Sequence, residues 1–273
     1  MKFHYPSTHY YKKTRGQLFP LLKAFIKNDS FTDEERIAMY QISEKEVDFV
    51  KTIQDADICI LTMSWNYYIA TDQYEVAVEY IKEANIAGKQ VWTWMSGDFG
   101  VKLNLDADYL VFRPSGNRSQ LPEHHIGMPI FINDLIEKYF QTTEVQHPSY
   151  STQPVIGFCG QADASFIKTA KEISIRIRHH VQYAVNKTKN SPQPIQSTSK
   201  LRANLLRKLE KANDIRTNFI KRKKYRAGIK TEKSQHKTTL EFYNNILDSQ
   251  YILCVRGGGN FSVRFYETLA MGR

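Results

Sequence analysis

The chain has 273 residues, 41% of them apolar and 24% charged, which is typical of a folded globular protein with one large or two modest domains. The net charge of +10 is unevenly spread, because residues 165–237 hold 20 Lys and Arg against 4 Asp and Glu. No stretch approaches the roughly 18 consecutive apolar residues of a membrane helix, and the first residues lack the apolar core of a signal peptide. We therefore expect a cytoplasmic protein whose three cysteines, Cys59, Cys159 and Cys254, are reduced core residues.

The first half of the chain alternates predicted helices and strands. Apolar spacing predicts helices over residues 17–28, 44–54, 72–87 and 132–140, and short apolar runs predict strands over 57–61, 90–95 and 109–112. Strands separated by helices of this length indicate βαβ units and a mostly parallel sheet. Ligands bind at the carboxyl ends of the strands in such sheets. The loops 62–68 and 96–100 are therefore expected at the ligand-binding edge.

The second half of the chain repeats this alternation after a polar stretch. Residues 143–154 are polar and contain two prolines, which is typical of a linker. We expect one domain over residues 1–145, a linker over 146–154 and a second domain over 155–273. Strands are predicted over 155–160 and 251–255, helices over 165–185, 202–211 and 240–247, and a basic turn over 221–226. The sequence stops where a further helix and turn should lead to another strand, so we expect the second domain to be truncated.

One motif carries recognisable chemistry. A strand is followed by Arg256-Gly257-Gly258-Gly259-Asn260-Phe261-Ser262 and then by a helix. Glycines let a backbone approach a ligand closely, and the start of a helix favours an anion. Ser262 can cap the helix or bind a phosphate oxygen, Arg256 and Arg264 can clamp a diphosphate, and Glu267 can accept hydrogen bonds from a ribose. The structural alternative is a glycine-rich turn with a satisfied cap.

The last 23 residues, from Tyr251 to Arg273, closely resemble the donor-site signature of bacterial exostosin-like proteins, glycosyltransferase family 47. Residues 155–160, 218–222 and 56–68 are similar to further parts of these proteins. The resemblance implies an α/β GT-B-like fold of two Rossmann-like domains with mostly parallel sheets, the second incomplete here. It also implies an inverting transfer of a hexose or hexosamine from a nucleotide-diphosphate donor, UDP-linked in the first instance, to a hydroxyl of a glycan or lipid-linked acceptor.

The resemblance and the strand positions together predict a site in the cleft between the two domains. The donor is expected to be bound by Arg256, Gly257, Gly258, Gly259, Asn260, Ser262, Arg264, Glu267, Gly157 and Gly160. Asp98, in the loop after a strand, is the candidate general base, although it can equally make a local turn bond. His124 and His125 are weaker candidates, which a solvated loop also explains. Trp65, Tyr67 and Tyr68 either stack on an acceptor sugar or pack in the core.

No metal and no cofactor beyond the nucleotide-sugar co-substrate are expected. The strings Asp55-Ala56-Asp57 and Asp106-Ala107-Asp108 have the spacing of a metal site, but both precede a strand, at the edge opposite to the ligands. The basic segment 165–237 is a solvated face, or it attracts an anionic membrane at its inner face or the diphosphate of a lipid-linked acceptor. It resembles no nucleic-acid module. The alternative function is a basic α/β protein that binds nucleic acid or an anionic surface without transferase activity.

Overall fold

The protein folds into two α/β units. The computed structural model describes residues 1–26, 31–98, 101–224 and 232–273. Their contacts divide the chain into Met1–Pro129 and Ile130–Arg273, and each unit has its own parallel sheet. The predicted class, α/β with mostly parallel, Rossmann-like sheets, is therefore confirmed.

The first unit is built on a six-stranded sheet. Its strands are β1 (Lys2–His4), β2 (Asp48–Phe49), β3 (Ile58–Ile60), β4 (Val91–Trp94), β5 (Tyr109–Arg113) and β6 (His125–Gly127). Its helices are α1 (Pro20–Ile26), α2 (Asp33–Tyr40), α3 (Trp65–Ala70) and α4 (Tyr74–Ile86). The strand order is β2-β1-β3-β4-β5-β6, and every pair is parallel. This order starts like the 2-1-3-4-5 order of doubly wound sheets.

The second unit is built on a shorter sheet. Its elements are α5 (Leu135–Phe140), β7 (Val155–Gln161), α6 (Phe166–Ala184), α7 (Thr198–Leu209), β8 (Arg216–Arg222), α8 (Glu232–Leu247), β9 (Tyr251–Ile252) and α9 (Val263–Ala270). The strand order is β8-β7-β9, again parallel throughout. The chain runs from β7 to β8 on one side and returns to β9 on the other. The order therefore reverses between β7 and β9, which is where such sheets bind ligands.

The division between the units falls earlier than the boundary we expected near residues 146–154. Helix α5 belongs to the second unit, because Leu135 and Ile136 are buried in one cluster with Tyr243, Ile246 and Met271. Burial of these apolar side chains, at about 25 cal/mol per Å², holds the helix there.

Several predicted elements differ from the structure. Residues 44–54 are not a helix: they form a 3-10 turn, Glu44–Glu46, and the edge strand β2. The basic turn predicted over 221–226 begins inside strand β8. The ends of three predictions, at residues 27–28, 99–100 and 225–226, lie outside the described residues. Within the part of the chain that the structure describes, none of the helices has the length and apolar composition needed to cross a bilayer.

Candidate functional site

The glycine-rich loop lies at the point where the second sheet reverses its strand order. Leu253 follows β9 and donates its N–H to the Gly157 carbonyl of β7 over 2.9 Å, so the chain leaves the sheet beside the central strand. Residues 256–261 then lead to α9. The sequence therefore places its glycine-rich loop at the carboxyl ends of β7 and β9, where parallel sheets bind ligands.

Arg264, in the first turn of α9, joins the ends of these two strands. Its Nη2 donates to the Cys159 carbonyl over 2.7 Å, and its Nη1 donates to the Leu253 carbonyl over 3.3 Å. Its guanidinium carbon lies 4.4 Å from the centre of the Phe158 ring. Burial lowers the pKa of this arginine. These contacts correct the expectation of a phosphate clamp, because the guanidinium donates its hydrogen bonds to backbone carbonyls inside the unit.

Arg256 borders a cavity of about 280 Å³ in front of this loop. The cavity is lined by Cys254, Arg256, Asn260, Phe261, Ser262, Phe265 and Tyr266. The Nη2 of Arg256 donates to Gln193 Oε1 over 2.7 Å, and its buried Nε has no hydrogen-bond partner. Across the described ranges, Arg256 pairs with no carboxylate. Burial and the neighbouring Arg176 lower its pKa, and the cavity has a partly buried cation on its wall.

Two further arginines hold the backbone of the loop, and sequence reasoning missed both. Arg176 of α6 donates to the Gly258 carbonyl over 2.9 Å. Arg202 of α7 donates through Nη2 to the Arg256 carbonyl over 2.9 Å and through Nη1 to the Gln161 carbonyl over 3.3 Å. The sequence offered one indication of this role. Both arginines lie on the two helices that follow β7, and β7 ends at the edge of the sheet where ligands bind.

Ser262 precedes α9 with an extended backbone and makes no capping hydrogen bond through its side chain. The sequence left open whether this hydroxyl caps the helix or binds a ligand. The side chain lines the cavity and makes no capping bond among the described residues. The positive end of the α9 dipole lies at the same point.

The two glycines of β7 serve packing. A Cβ on Gly157 would stand 2.3 Å from Ser249 Oγ and 2.7 Å from Ile252 Cδ1. A Cβ on Gly160 would stand 2.7 Å from Arg264 Nη2. Their absent side chains therefore make room for the turn before β9 and for the guanidinium, whereas we had predicted that both glycines contact the donor. Gly257 differs, because its nearest neighbour in the same test, Arg202 Nη2, is 3.5 Å away.

Glu267 is partly buried and pairs with a tyrosine of α8. The Tyr243 hydroxyl donates to Glu267 Oε1 over 3.2 Å, and burial raises the pKa of Glu267. The residue is not among those that line the cavity in the described part of the chain. The helix is also turned differently from our prediction, since Phe265 and Leu269 are exposed while Thr268 and Met271 are buried. The direct ribose contact that we predicted for Glu267 therefore has no support from its position.

The three aromatic residues expected at the acceptor site lie in the core of the first unit. Trp65 and Tyr68 are fully buried and Tyr67 is nearly so. The Trp65 indole donates to Thr93 Oγ1 over 2.9 Å, and the Tyr68 hydroxyl is 2.9 Å from His9 Nδ1. Their rings offer no exposed face to a sugar, which corrects the acceptor-stacking prediction in favour of core packing.

Asp98 is exposed at the carboxyl edge of the first sheet, and the Phe99 and Gly100 that follow it lie outside the described residues. Ser115 Oγ donates to the carbonyl of the preceding Gly97 over 3.0 Å, which fixes the start of this loop.

A polar cluster that the sequence did not reveal lies at the same edge. Gln17 Oε1 accepts from Ser64 Oγ over 2.5 Å and from Ser96 Oγ over 2.8 Å, and Asn66 Oδ1 accepts from the Ser96 N–H over 2.8 Å. These residues come from three separate segments, so only the fold brings them together.

His125 is buried in β6, not in the solvated loop that the sequence suggested. Its Nδ1 lies 3.0 Å from Arg113 Nη1, and its Nε2 lies 3.2 Å from the Leu103 carbonyl. Burial lowers the pKa of His125 to about 4 and that of Arg113 to about 10. His125 is therefore neutral at pH 7 and stabilises the fold around β5 and β6.

The two Asp-x-Asp strings lie at the amino ends of β3 and β5, as their positions predicted. Asp57 Oδ2 accepts from the Lys2 N–H over 2.8 Å, and Asp108 Oδ1 accepts from Gln90 Nε2 over 2.8 Å. Among the residues described, no three His, Cys, Asp or Glu side chains converge as ligands for a metal ion. These aspartates bind backbone and amide groups instead.

No protein-family model, no curated protein and no solved structure matches this chain. The site must therefore be interpreted from its own geometry and from the resemblance of the loop.

Proposed function

We propose that the chain is a glycosyltransferase that transfers a sugar from a nucleotide-diphosphate donor, UDP-linked in the first instance, to a hydroxyl of a glycan or lipid-linked acceptor. The observation that carries the proposal is Arg256, a partly buried arginine with an unpaired, buried Nε and no carboxylate partner among the described residues, on the wall of a cavity at the strand-order reversal. A buried donor without a partner costs free energy, and a diphosphate at this position would offset that cost.

The size of the cavity fits part of such a donor. Sites for small molecules are usually about 300–1,000 Å³, and this one is about 280 Å³. It accommodates the diphosphate and one flanking group, while the rest of the donor extends outward. In the proposal, Arg256, Asn260 and Ser262 bind phosphate oxygens, and the rings of Phe265 and Tyr266 border the base or the sugar.

Arg264 and Glu267 support the site without lining it. Arg264 fixes the ends of β7 and β9, from which the loop departs. Glu267, bound to Tyr243, fixes the packing of α9 on α8. In this proposal both residues position the loop and neither contacts the donor, which departs from the roles that the chemistry of the motif predicted for them.

The reaction proposed is an inverting displacement. The acceptor oxygen bonds to the anomeric carbon while the bond from that carbon to the diphosphate oxygen breaks, and a base takes the hydroxyl proton. The nucleoside diphosphate leaves with the bonding electrons, and the charge of Arg256 stabilises it. Asp98 is the proposed base, because its carboxylate is exposed at the carboxyl edge of the first sheet. A cytoplasmic location, with the acceptor at the inner face of the membrane, belongs to the same proposal.

Calorimetric titration with UDP, GDP and UDP-sugars tests the donor site. Arg256→Gln should weaken UDP binding about 10- to 150-fold, since a hydrogen bond to a charged group contributes about 1.5–3 kcal/mol. Arg207→Gln is the matched control, because Arg207 is exposed on α7 and donates to Asn204 Oδ1 of the same helix. Binding should persist in chelator. If a short oligonucleotide raises the melting temperature and no nucleotide diphosphate does, the alternative of a nucleic-acid-binding protein replaces this one.

A further inference from the structure

Helix α6 presents an apolar face to solvent. Its first two residues, Phe166 and Ile167, are 85% and 82% exposed. Ile177, Val181 and Val185 are also exposed. At 100° per residue, these five positions fall within an arc of about 100°, so they form one stripe along the helix. We call these five residues the α6 stripe.

The side chains through which α6 binds the protein lie outside the arc of the α6 stripe, as does one further exposed apolar residue, Ile175. Glu172 accepts from Ser199 Oγ over 2.5 Å and from Ser197 Oγ over 2.8 Å. Arg176 donates to the Gly258 carbonyl, and His180 Nε2 lies 2.9 Å from the Gln193 carbonyl. A surface helix normally turns its apolar face inward. Here the polar contacts fix the helix with these apolar side chains outward, and exposed apolar side chains grouped on one side of a helix mark an interaction surface.

Positive charge borders the α6 stripe. Lys171 and Arg178 are exposed and lie along one edge of it, at about 120–140° on the same helical projection. Glu172, the acidic residue of the helix, is turned inward to Ser197 and Ser199. The wider segment 165–237 holds 20 Lys and Arg against 4 Asp and Glu. A partner for this face must therefore offer both an apolar region that buries the α6 stripe and negative charge beside it.

We propose that the outer face of α6 docks onto an anionic lipid surface, with the helix lying in the plane of the interface. Apolar side chains at the centre enter the boundary between headgroups and acyl chains, and Lys171 and Arg178 meet the anionic headgroups. A second copy of the chain fits less well, because pairing two α6 stripes brings together two segments of strong positive charge. The inference concerns an interaction surface and does not depend on the glycosyltransferase proposal.

Flotation of the full chain with vesicles tests this. The protein should float with vesicles of phosphatidylcholine and phosphatidylglycerol in a roughly 2:1 ratio, and much less with phosphatidylcholine alone. Binding should weaken as salt is added, because screening shortens the reach of the surface potential. Equal binding to both vesicle types, or binding to neither, would overturn the proposal.

Matched variants separate the apolar and the charged contributions. The double variant Phe166→Ser with Ile167→Ser should lower vesicle partitioning about tenfold or more, since both side chains lose apolar burial. Ile86→Ser is its control, because Ile86 is 88% exposed at the end of α4. Lys171→Glu with Arg178→Glu should abolish the preference for anionic vesicles, whereas Lys82→Glu, at an exposed lysine of α4, should not.

Fold and oligomeric state complete the test. The mutated side chains are exposed, so circular dichroism and melting temperature should stay at wild-type values. Light scattering without lipid reports self-association. If the wild-type chain dimerises, the Phe166→Ser, Ile167→Ser variant abolishes the dimer and neither binds vesicles, then the face is an interface between copies and the lipid proposal is wrong.

Discussion

Replacing Gly160 by alanine should destabilise the second unit through Arg264. The new Cβ would stand 2.7 Å from Arg264 Nη2 and 3.5 Å from the Phe158 ring. The end of a free arginine side chain would simply move away. This one is held by the Cys159 and Leu253 carbonyls and lies over the Phe158 ring, with the Phe242 ring centre 5.5 Å from its guanidinium carbon. Moving it therefore breaks contacts that nothing nearby replaces.

The size of the effect follows from those contacts. To clear the Cβ, the guanidinium must retreat by roughly 0.7 Å or more, which breaks its 2.7 Å bond to the Cys159 carbonyl. A lost hydrogen bond from a charged group costs about 1.5–3 kcal/mol, and Arg264 Nε already lacks a partner. We expect the free energy of unfolding to fall by about 2–3 kcal/mol.

Scanning calorimetry measures this, with Gly257→Ala as the matched control. The Gly160→Ala variant should melt about 4–12 °C below the wild type, at roughly 2–4 °C per kcal/mol for a unit of this size. The Gly257→Ala variant should melt within about 2 °C of the wild type, because its nearest neighbour lies at an ordinary 3.5 Å contact. In UDP titration the order should be reversed. The Gly257→Ala variant should bind UDP more weakly than the Gly160→Ala variant, because the added methyl group obstructs close approach of a phosphate.

The reasoning would be refuted by equal melting temperatures of the two variants. It would also be refuted if Arg264→Met melted no lower than the wild type, since the guanidinium would then not hold β7 and β9 together.

Three further predictions concern buried groups. Glu267→Gln should be at least as stable as the wild type at pH 7 and lose that advantage near pH 4. Burial raises the pKa of Glu267, so the wild type loses stability as pH rises through the raised pKa. Melting curves from pH 4 to 8 measure this difference in stability. An unchanged UDP affinity in this variant would support its contact with Tyr243 over a ribose contact. Burial lowers the pKa of His125 from 6.5 to about 4. The wild type should therefore lose up to about 3 kcal/mol of stability as pH falls from 6.5 to 4, and the melting temperature of His125→Gln should depend less on pH. Gly157→Ala should lower the melting temperature more than Gly257→Ala, because its Cβ meets Ser249 Cβ at 2.8 Å as well as the hydroxyl; equal melts would contradict the packing role.

Local signals predicted the architecture well where they were strong. The apolar run at residues 57–61 and the helix before Gly88 are both present, and Gly88 has the positive φ of 71° that a helix end of this kind uses. The helix predicted over residues 44–54 was wrong, because the capping box there is followed by a short turn and not by a long helix. Ser43 and Glu46 make a complete capping box, yet it closes only the 3-10 turn Glu44–Glu46 before β2 begins.

The missed strand β8 had a different cause. It is an edge strand rich in basic residues, from Arg216 to Arg222, and charged edges protect sheets from pairing with other chains. Such a strand lacks the apolar pattern that identifies a buried one, so we predicted a basic turn over its end.

The candidate site was predictable only where it is continuous in sequence. The loop from Arg256 to Ser262 was found from its own residues, and three of the predicted donor residues line the cavity. Arg176 and Arg202, which hold the loop backbone, lie 82 and 54 residues away from the groups they bind. Arg264 and Glu267 each contact a residue of α8, Phe242 and Tyr243 respectively. The local sequence around α9 does not indicate these contacts, so it could not predict where the two side chains point.

The central position of β7 has a consequence for how the chain folds during synthesis. This strand pairs with β8 and β9, and Val155 must wait for Gln250, 95 residues later, before that side is complete. At about 5–20 residues per second, the apolar strand spends roughly 5–20 s without its last neighbour. The strongly basic segment 165–237 emerges during this interval. From the charge alone, we expect this segment to repel other copies of the chain and so to disfavour aggregation of the half-formed sheet.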